Sequence, residues 1–523
     1  MNLSKSIQRL RTEAKWTQEE FSERFGVSQQ AVQKWESGRA LPELKKLVEI
    51  ADHFGVSLDE LILGRDRRTS ETSGREGLRP RWQDLPDWEF YASALQTEFC
   101  QSSEEGLEIE RYGEVFAAVS KLPKGEIKKK LADVLFETVI GAEQRADYPY
   151  REPNDPEEIR QLRPEGPAVR PCAPSEDKVH GAWMGRICGC LLGKTVEGIR
   201  TNELIPFLRA TGNLPLRRYI LRSDLTEALL GRFSYPFAER CYADEIDGMP
   251  SDDDTNYVVL AQEVVRTCGR AFTPADVAAA WLKYQNKEAY CTAERVAYCN
   301  FIKGYAPPQS ALFQNPYREW IGAQIRGDYF GYINPGDPES AAEMARRDAS
   351  ISHVKNGIYG AMYTAAMLAA AAAVGDLETV VRCGLAQIPR TSRLAEGLNA
   401  VLDAFGRGAP QAEVFGMIHS RFDEYTEHGW CHVIPNAMIV AAALLYGGGD
   451  FGRSVCMAVE TGFDTDCNGA TVGSVIGMAR GLRGIPAEWR RPVGDTLHTT
   501  LFGVGSVSIA DRARLTMAQM PPR

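Results

Sequence analysis

The chain has 523 residues, more than one ordinary hydrophobic core accommodates, and this length predicts two or more domains. Its 60 basic and 70 acidic residues give a net charge of -10, which argues against a protein that coats nucleic acid but leaves room for one small DNA-reading domain. The 12 cysteines include no C-x-x-C pair, and the first residues carry no signal-peptide pattern, so we expect a reducing, cytoplasmic location.

Residues 1–64 form the first predicted domain, and their pattern indicates helices separated by short turns. Thr17 to Glu20 has the form of a capping box that begins a helix, and a second helix follows from Ser28 to Ser37 after a turn with glycine. Val32 and Trp35 point inward on this second helix. The residues predicted to face outward are all polar: Ser28, Gln29, Gln30, Gln33 and Lys34.

The sequence T-Q-E-E-F-S-E-R-F-G-V-S-Q-Q-A-V-Q-K-W-E closely resembles the phage-repressor and Cro type of helix-turn-helix domain. The resemblance implies that the helix from Ser28 to Ser37 enters the major groove of double-stranded DNA, where glutamines suit adenine edges and Lys34 contacts phosphate. The alternative is a helical docking module that has lost DNA binding, which the nearly balanced charge of this domain leaves open.

Residues 65–176 are predicted to be a linker and a helical connecting region. Arg65 to Arg81 is rich in Arg, Ser, Thr and Gly without a hydrophobic period, which is typical of a flexible linker. Glu105 to Ala146 predicts two helices separated near Leu122 to Gly125. The second helix carries an apolar stripe that either forms a homodimer surface or packs on the large domain: Ile127, Leu131, Val134, Leu135 and Val139.

Two acidic motifs follow in the large domain. Pro250 to Thr255 reads P-S-D-D-D-T, and its three adjacent carboxylates repel one another more than a helix N-terminus relieves. Thr461 to Gly477 places Asp464 and Asp466 immediately before small residues that suit a buried helix, where an unpaired charge is costly. Magnesium or manganese compensates such carboxylates, and two ions held by distant clusters form a hydrolytic device. The alternative for D-x-D alone is a solvated turn and helix cap.

Small residues at Gly181, Gly185, Gly189 and Gly193 are spaced four apart, and such spacing lets helices approach closely. Together with these glycines, the acidic motifs resemble the ADP-ribosylglycohydrolase family. The resemblance extends over residues 177–523, including N-P-G-D-P-E-S-A-A-E from Asn334, V-I-P-N-A from Val433 and G-G-G-D-F from Gly447. It implies a compact all-α domain with two divalent metals, magnesium or manganese, in a central cleft.

Carried over position by position, the resemblance implies six metal-binding residues: Asp252, Asp253, Asp254, Asp464, Asp466 and Cys467. Cys467 stands where the family usually has threonine, and a thiol is a poor partner for magnesium. Cys190 replaces an aspartate often found at the start of the family's N-terminal motif. The acidic residue of that motif falls on Glu197, which we predict to be catalytic together with Asp253 and Asp466.

The predicted fold class is all-α: a small helix-turn-helix domain and a large all-helical ADP-ribosylglycohydrolase-like domain. We predict a cytoplasmic, metal-dependent glycohydrolase that removes ADP-ribose from a protein or a small molecule and carries a DNA-binding head. The first alternative is a transcriptional repressor that senses an ADP-ribose-like nucleotide without turnover. The second keeps hydrolysis but acts on a free nucleoside or nucleotide. No membrane partner is expected, because the apolar run from Ala361 to Val374 is too short to span a bilayer.

Overall fold

Helices make up nearly all the regular structure in the residues that the computed structural model describes, which are 3–56, 58–63 and 80–522. In these residues the strands are one antiparallel pair, β1 Thr496–Leu497 and β2 Val507–Ser508. The predicted all-α class is therefore confirmed. The chain forms two compact units, residues 1–81 and 82–523. Residues 65–79 of the predicted linker lie outside the described part.

The first unit contains five helices: α1 Leu3–Glu13, α2 Gln18–Arg24, α3 Gln29–Glu36, α4 Leu44–Phe54 and α5 Leu58–Leu63. The predicted capping box begins α2, because the Glu20 amide donates to Thr17 Oγ1 at 3.1 Å and the Thr17 amide donates to Glu20 Oε2 at 2.7 Å. Ser28 caps α3 by accepting a hydrogen bond from the Ala31 amide at 3.2 Å.

Four helices of the connecting region open the second unit: α6 Leu95–Glu104, α7 Gly113–Ser120, α8 Glu126–Ile140 and α9 Pro156–Leu162. The two predicted helices are α7 and α8. The predicted apolar stripe of α8 does not act as one face: Leu135 and Val139 are buried, whereas Ile127, Leu131 and Val134 are 73%, 41% and 62% exposed. Part of the stripe thus packs inside the unit, and the homodimer stays a prediction.

A buried ionic network holds α6 against the rest of the second unit. The Arg318 guanidinium contacts Glu105 at 2.6 Å and Glu98 at 2.8 Å, and all three side chains are nearly inaccessible to solvent. Gln101 of α6 donates to Glu319 Oε2 at 2.7 Å. Because a buried charge is costly to leave unpaired, these contacts tie the connecting region to the large domain.

The large domain contains the remaining helices, in chain order: α10 Glu176–Lys194, α11 Thr201–Ala210, α12 Glu227–Leu230, α13 Asp253–Cys268, α14 Pro274–Tyr284, α15 Thr292–Ile302, α16 Gln309–Leu312, α17 Asp328–Tyr332, α18 Pro338–Ala349, α19 Lys355–Ala373, α20 Leu377–Leu385, α21 Arg393–Gly406, α22 Gln411–Arg421, α23 Glu427–Cys431, α24 Val433–Tyr446, α25 Phe451–Glu460, α26 Thr465–Arg480, α27 Ala487–Arg490 and α28 Ile509–Ala518. None of the described helices combines the length and the apolar character needed to cross a membrane.

The antiparallel pair α10 and α26 positions the acidic motifs. Glycines spaced four residues apart on α10 face the backbone of α26 so closely that a Cβ would overlap it, and the contacts are these: Gly181 with Gly477, Gly185 with Gly473, Gly189 with Gly469 and Gly193 with Thr465. Thr465 Oγ1 also donates to the Gly193 carbonyl at 2.9 Å. This register brings the C-terminal end of α10 beside Asp464 and Asp466.

Arg186, in the middle of α10, fixes the start of α13 at the same place. Its guanidinium, 1% exposed, donates to the Asp254 carboxylate at 2.8 Å and to the Asp254 carbonyl at 2.8 Å, and it pairs with Asp328 at 2.9 Å. The first acidic motif therefore meets the helix pair through a buried ion pair.

Candidate active site

The two acidic motifs meet at Asp254. One ligand atom from each of Cys190, Asp252 and Asp254 lies within 4.8 Å of the other two, and the same holds for Asp254, Asp466 and Cys467. Asp254 belongs to both triads and so joins motifs that are distant in sequence. Both motifs also lie at helix N-termini, where the backbone dipole favours negative charge.

The two triads together form the acidic centre, in which burial and mutual repulsion destabilise the charged form of the carboxyls. Burial raises the pKa of Asp254 well above its usual range despite Arg186, and Asp252 and Asp464 raise it further. Burial likewise raises the pKa of Asp466, with repulsion from Glu197 and Asp464 added. Asp254 Oδ2 is buried and accepts no hydrogen bond from the described residues. This orphaned oxygen among carboxylates fits a divalent cation.

Two cations of the chain offset part of the negative charge. Lys194 Nζ lies 2.6 Å from Asp252 Oδ2, and Arg186 pairs with Asp254. Burial favours protonation of Asp252, but the charge and hydrogen bond of Lys194 outweigh it and lower the pKa of this carboxyl. The sequence interpretation missed both cations. Arg186 was detectable as the one charge within the apolar and small residues 179–193, a position that demands a buried acidic partner.

Asp253 and Asp464 lie at the centre but belong to neither triad. Asp253 is half-buried, and burial together with repulsion from Asp252 and Asp254 raises its pKa. Asp464 is buried, its amide donates to Asn436 Oδ1 at 3.2 Å, and Cys431 Sγ donates to its Oδ2 at 3.7 Å. Their role as metal ligands stays a prediction, and the contact with Cys431 carried no signal in the sequence.

Glu197 follows the end of α10 and is half-buried. Its carbonyl accepts hydrogen bonds from Tyr235 Oη at 2.6 Å and from the Arg240 guanidinium, which hold the backbone in place. Burial, then the charges of Asp252 and Asp464, raises the pKa of the Glu197 carboxyl to about 7. A group that titrates near neutral pH is suited to general acid or base work.

Three buried thiols accompany the carboxylates: Cys190, Cys431 and Cys467. Burial raises the pKa of each thiol, and the nearest carboxylates raise it further, so all three are protonated when no cation is bound. The sequence pointed to Cys190 and Cys467 but not to Cys431.

A strained turn leads into α26. Phe463, buried and not glycine, adopts a positive φ of 57°, a conformation that costs about 1 kcal/mol or more and is found at functional sites. Its carbonyl accepts a hydrogen bond from Trp430 Nε1. The Arg200 guanidinium lies 4.6 Å from the centre of the Trp430 ring, so an aromatic and cationic surface borders the acidic centre.

In the first unit, the five residues predicted to contact DNA are all exposed on one side of α3 or at its cap: Ser28, Gln29, Gln30, Gln33 and Lys34. Val32 and Trp35 are buried in the core of this unit, on the opposite side. The arrangement leaves two glutamine amides one helical turn apart, Gln29 and Gln33, available to an external partner.

The fold and the site together define a protein that joins a helix-turn-helix unit to an all-α domain with a buried acidic centre. Residues 171–520 match the family model described as ADP-ribosylglycohydrolase, and residues 7–61 match the model described as helix-turn-helix. The chain belongs to the ADP-ribosylglycohydrolase family, which confirms the predicted resemblance in both parts.

One similar characterised protein is the HTH-type transcriptional activator BcrR of Enterococcus faecalis, 39% identical over 80 residues. That match covers 15% of this chain and 39% of the relative. A solved structure described as an ADP-ribosylglycohydrolase-related protein complex matches with a TM-score of 0.38 and 20% identity, and it covers 66% of this chain and 97% of its own.

Proposed function

We propose that this protein is a metal-dependent glycohydrolase that cleaves the N- or O-glycosidic bond of ADP-ribosyl or related ribosyl substrates, coupled to a DNA-binding head. The observation that carries the proposal is the meeting of both motifs at Asp254, which clusters with Asp252 on one side and Asp466 on the other and whose buried Oδ2 has no partner among the described residues. Five aspartates converge from two motifs, which is a costly arrangement in a fold unless a cation is part of it.

The residues that would hold two divalent ions, Mg²⁺ or Mn²⁺, are the carboxylates of both motifs: Asp252, Asp253, Asp254, Asp464 and Asp466. When bound, such ions polarise hydroxyl oxygens and acidify water. Lys194 and Arg186 orient Asp252 and Asp254, since each already pairs with one of their oxygens.

The remaining chemistry falls to residues of the chain. Cleavage at the anomeric carbon of ribose builds positive charge on the sugar, which the carboxylates of Asp253 and Asp466 stabilise. Glu197 stands beside the acidic centre, so its carboxylate takes the proton of the attacking water as a general base and then returns it to the departing group. Arg200, which already lies over the Trp430 ring, offers a positive charge to the phosphates of an adenylate group.

We also propose that the first unit binds double-stranded DNA and regulates transcription. The exposed polar side of α3 supports this function, because Gln29 and Gln33 present amides suited to adenine edges and Lys34 is exposed beside them for phosphate. A matched relative that is a transcriptional activator points the same way.

The test is hydrolysis by the full chain of ADP-ribosylated proteins, ADP-ribosylated nucleic acid and small ADP-ribosyl or nucleoside compounds, with Mg²⁺, Mn²⁺ or Zn²⁺. We expect Asp466→Asn to lower turnover by about 100-fold or more, because it removes a charged donor from the centre. Asp403→Asn, an exposed aspartate on α21, is the matched control and should retain activity.

Product released by the wild type but not by Asp466→Asn would support the glycohydrolase. Tight binding of an ADP-ribose-like nucleotide with no product from any substrate would overturn it in favour of a ligand-sensing repressor.

A further inference from the structure

Each of the two triads of the acidic centre includes one cysteine. Cys190 joins Asp252 and Asp254, and Cys467 joins Asp254 and Asp466, with the donor atoms of each cluster within 4.8 Å of one another. Each of the four cysteine and aspartate side chains around Asp254 is less than a tenth exposed.

This donor set differs from the set that magnesium prefers. Magnesium is a hard ion that takes oxygen ligands and keeps several waters, and sulfur is a poor ligand for it. Zinc binds both cysteine sulfur and aspartate oxygen, and catalytic zinc sites use three protein ligands with the fourth position left for water. A buried cluster of two carboxylates and one thiol matches the zinc pattern.

Asp254 Oδ2 supplies a second, independent observation at this cluster. Arg186 occupies Asp254 Oδ1 at 2.8 Å, whereas Oδ2 is fully buried and accepts no hydrogen bond from the described residues. The Cys467 amide holds Asp466 Oδ1 at 3.0 Å, which fixes the second carboxylate. The cluster thus has two carboxylates held in place and one buried carboxylate oxygen without a partner among the described residues.

We propose that Asp254, Asp466 and Cys467 bind Zn²⁺ in preference to Mg²⁺, with the Cys467 thiolate as a ligand. This inference rests on the proposed metal-dependent function and departs from the magnesium that the family resemblance implies. It makes Cys467 the residue that sets metal preference, since an oxygen donor such as threonine at this position would return the cluster to hard ligands.

Metal-binding atoms also lie together in a second cluster, Glu104 with His428 and His432. We do not propose this cluster as the zinc site, because of the hydrogen bonds of its rings. Trp320 Nε1 donates to His428 Nδ1 at 3.2 Å, and the Ile434 amide donates to His432 Nδ1 at 3.3 Å. His428 Nε2 lies 3.1 Å from Glu104, and the Nε2 atoms of both rings are buried without a hydrogen bond from the described residues. A neutral ring whose Nδ1 accepts carries its proton on Nε2. Metal binding through Nε2 would need the opposite tautomer in both rings.

The experiment is a titration of the chelator-treated full chain with Co²⁺, whose thiolate complexes give a near-ultraviolet charge-transfer band. We expect the wild type to show the band and Cys467→Thr to lose it, with Zn²⁺ affinity lowered by about 100-fold and Mg²⁺ affinity not lowered. Cys188→Ala is the matched control, because this buried thiol donates to the Trp489 carbonyl instead of the centre. His428→Asn removes a ligand from the histidine cluster and so shows whether any of the bound zinc lies there.

No band in the wild type, or a band that persists in Cys467→Thr, would overturn the inference. If Cys467→Thr does not fold, competition of Mg²⁺ against Zn²⁺ on the wild type by calorimetry decides, and tighter Mg²⁺ binding rejects it. Hydrolysis with Mg²⁺ but no cobalt band leaves the glycohydrolase standing without this zinc site. A cobalt band without hydrolysis of any substrate would support the zinc site and reject the glycohydrolase.

Discussion

The caps of the helix-turn-helix unit join residues that are close in sequence, whereas the acidic centre depends on contacts between residues that are distant in sequence. In the first unit, caps join residues three positions apart, Thr17 with Glu20 and Ser28 with Ala31, and the polar side of α3 stays in solvent. In the centre, buried carboxylates are compensated by distant groups, as when Arg186 pairs with Asp254. A recognition surface can thus be built locally, whereas a cluster of like charges needs the whole domain around it.

Gly189→Ala should disrupt the helix pair that positions the acidic centre, and this is the largest effect we expect. A Cβ at Gly189 would overlap the backbone of Gly469, and neither helix backbone can move without opening the pair α10 and α26. We expect a loss of about 4 kcal/mol or more in the free energy of unfolding, measured by denaturant titration followed by circular dichroism.

Gly406→Ala is the control for this substitution, since an added Cβ at Gly406, the last residue of α21, meets no neighbouring atom within 4 Å. Equal stability of the two variants would show that the close approach of α10 and α26 is not needed for the fold.

Glu197→Gln should change how the stability of the chain depends on pH. In the metal-free chain the pKa of Glu197 is raised to about 7, above its ordinary value of 4.5, so the unfolded chain loses this proton first as pH rises. The resulting stabilisation is complete below the unfolded pKa and is lost as pH rises through about 7. The wild type should therefore lose roughly 2 kcal/mol more than Glu197→Gln between about pH 5 and pH 7, in denaturant titrations with chelator present.

Glu488→Gln, an exposed carboxylate on α27, should follow the wild-type pH profile. Identical pH profiles for Glu197→Gln and the wild type would mean that Glu197 does not titrate in the buried centre.

Replacing both Gln29 and Gln33 by alanine should have the smallest effect on stability. These exposed side chains are outside the core, so we expect a change within about 0.5 kcal/mol in the free energy of unfolding. DNA binding should weaken by about 1–3 kcal/mol for each amide that pairs with a base, measured by fluorescence anisotropy on duplexes selected from a random pool. Hydrolysis should not change.

Gln8→Ala, an exposed glutamine on α1, serves as the control for DNA affinity. If the double variant binds the selected duplexes as tightly as Gln8→Ala does, α3 is not the reading helix.

Patterns confined to one helix were predictable from the sequence. The capping box at Thr17 and the inward side of α3 both depend on spacing that a single element displays. The break between α7 and α8 depends on a few contiguous residues that include proline and glycine. The glycine spacing on α10 predicted a close helix approach, although only the structure identified α26 as the partner. The α8 stripe shows the limit, since Leu135 is buried while Val134 beside it is 62% exposed.

The all-α class, the family and the two acidic motifs were all predictable from the sequence, because each is written in contiguous residues or a short period. The tertiary structure alone decided that Asp254 is the point where the motifs meet and that Lys194 and Arg186 compensate them. It also decided that Cys431 lies against Asp464. The physical reason is that electrostatic compensation acts through space, so a buried charge selects its partners by distance in the fold and not by position in the chain.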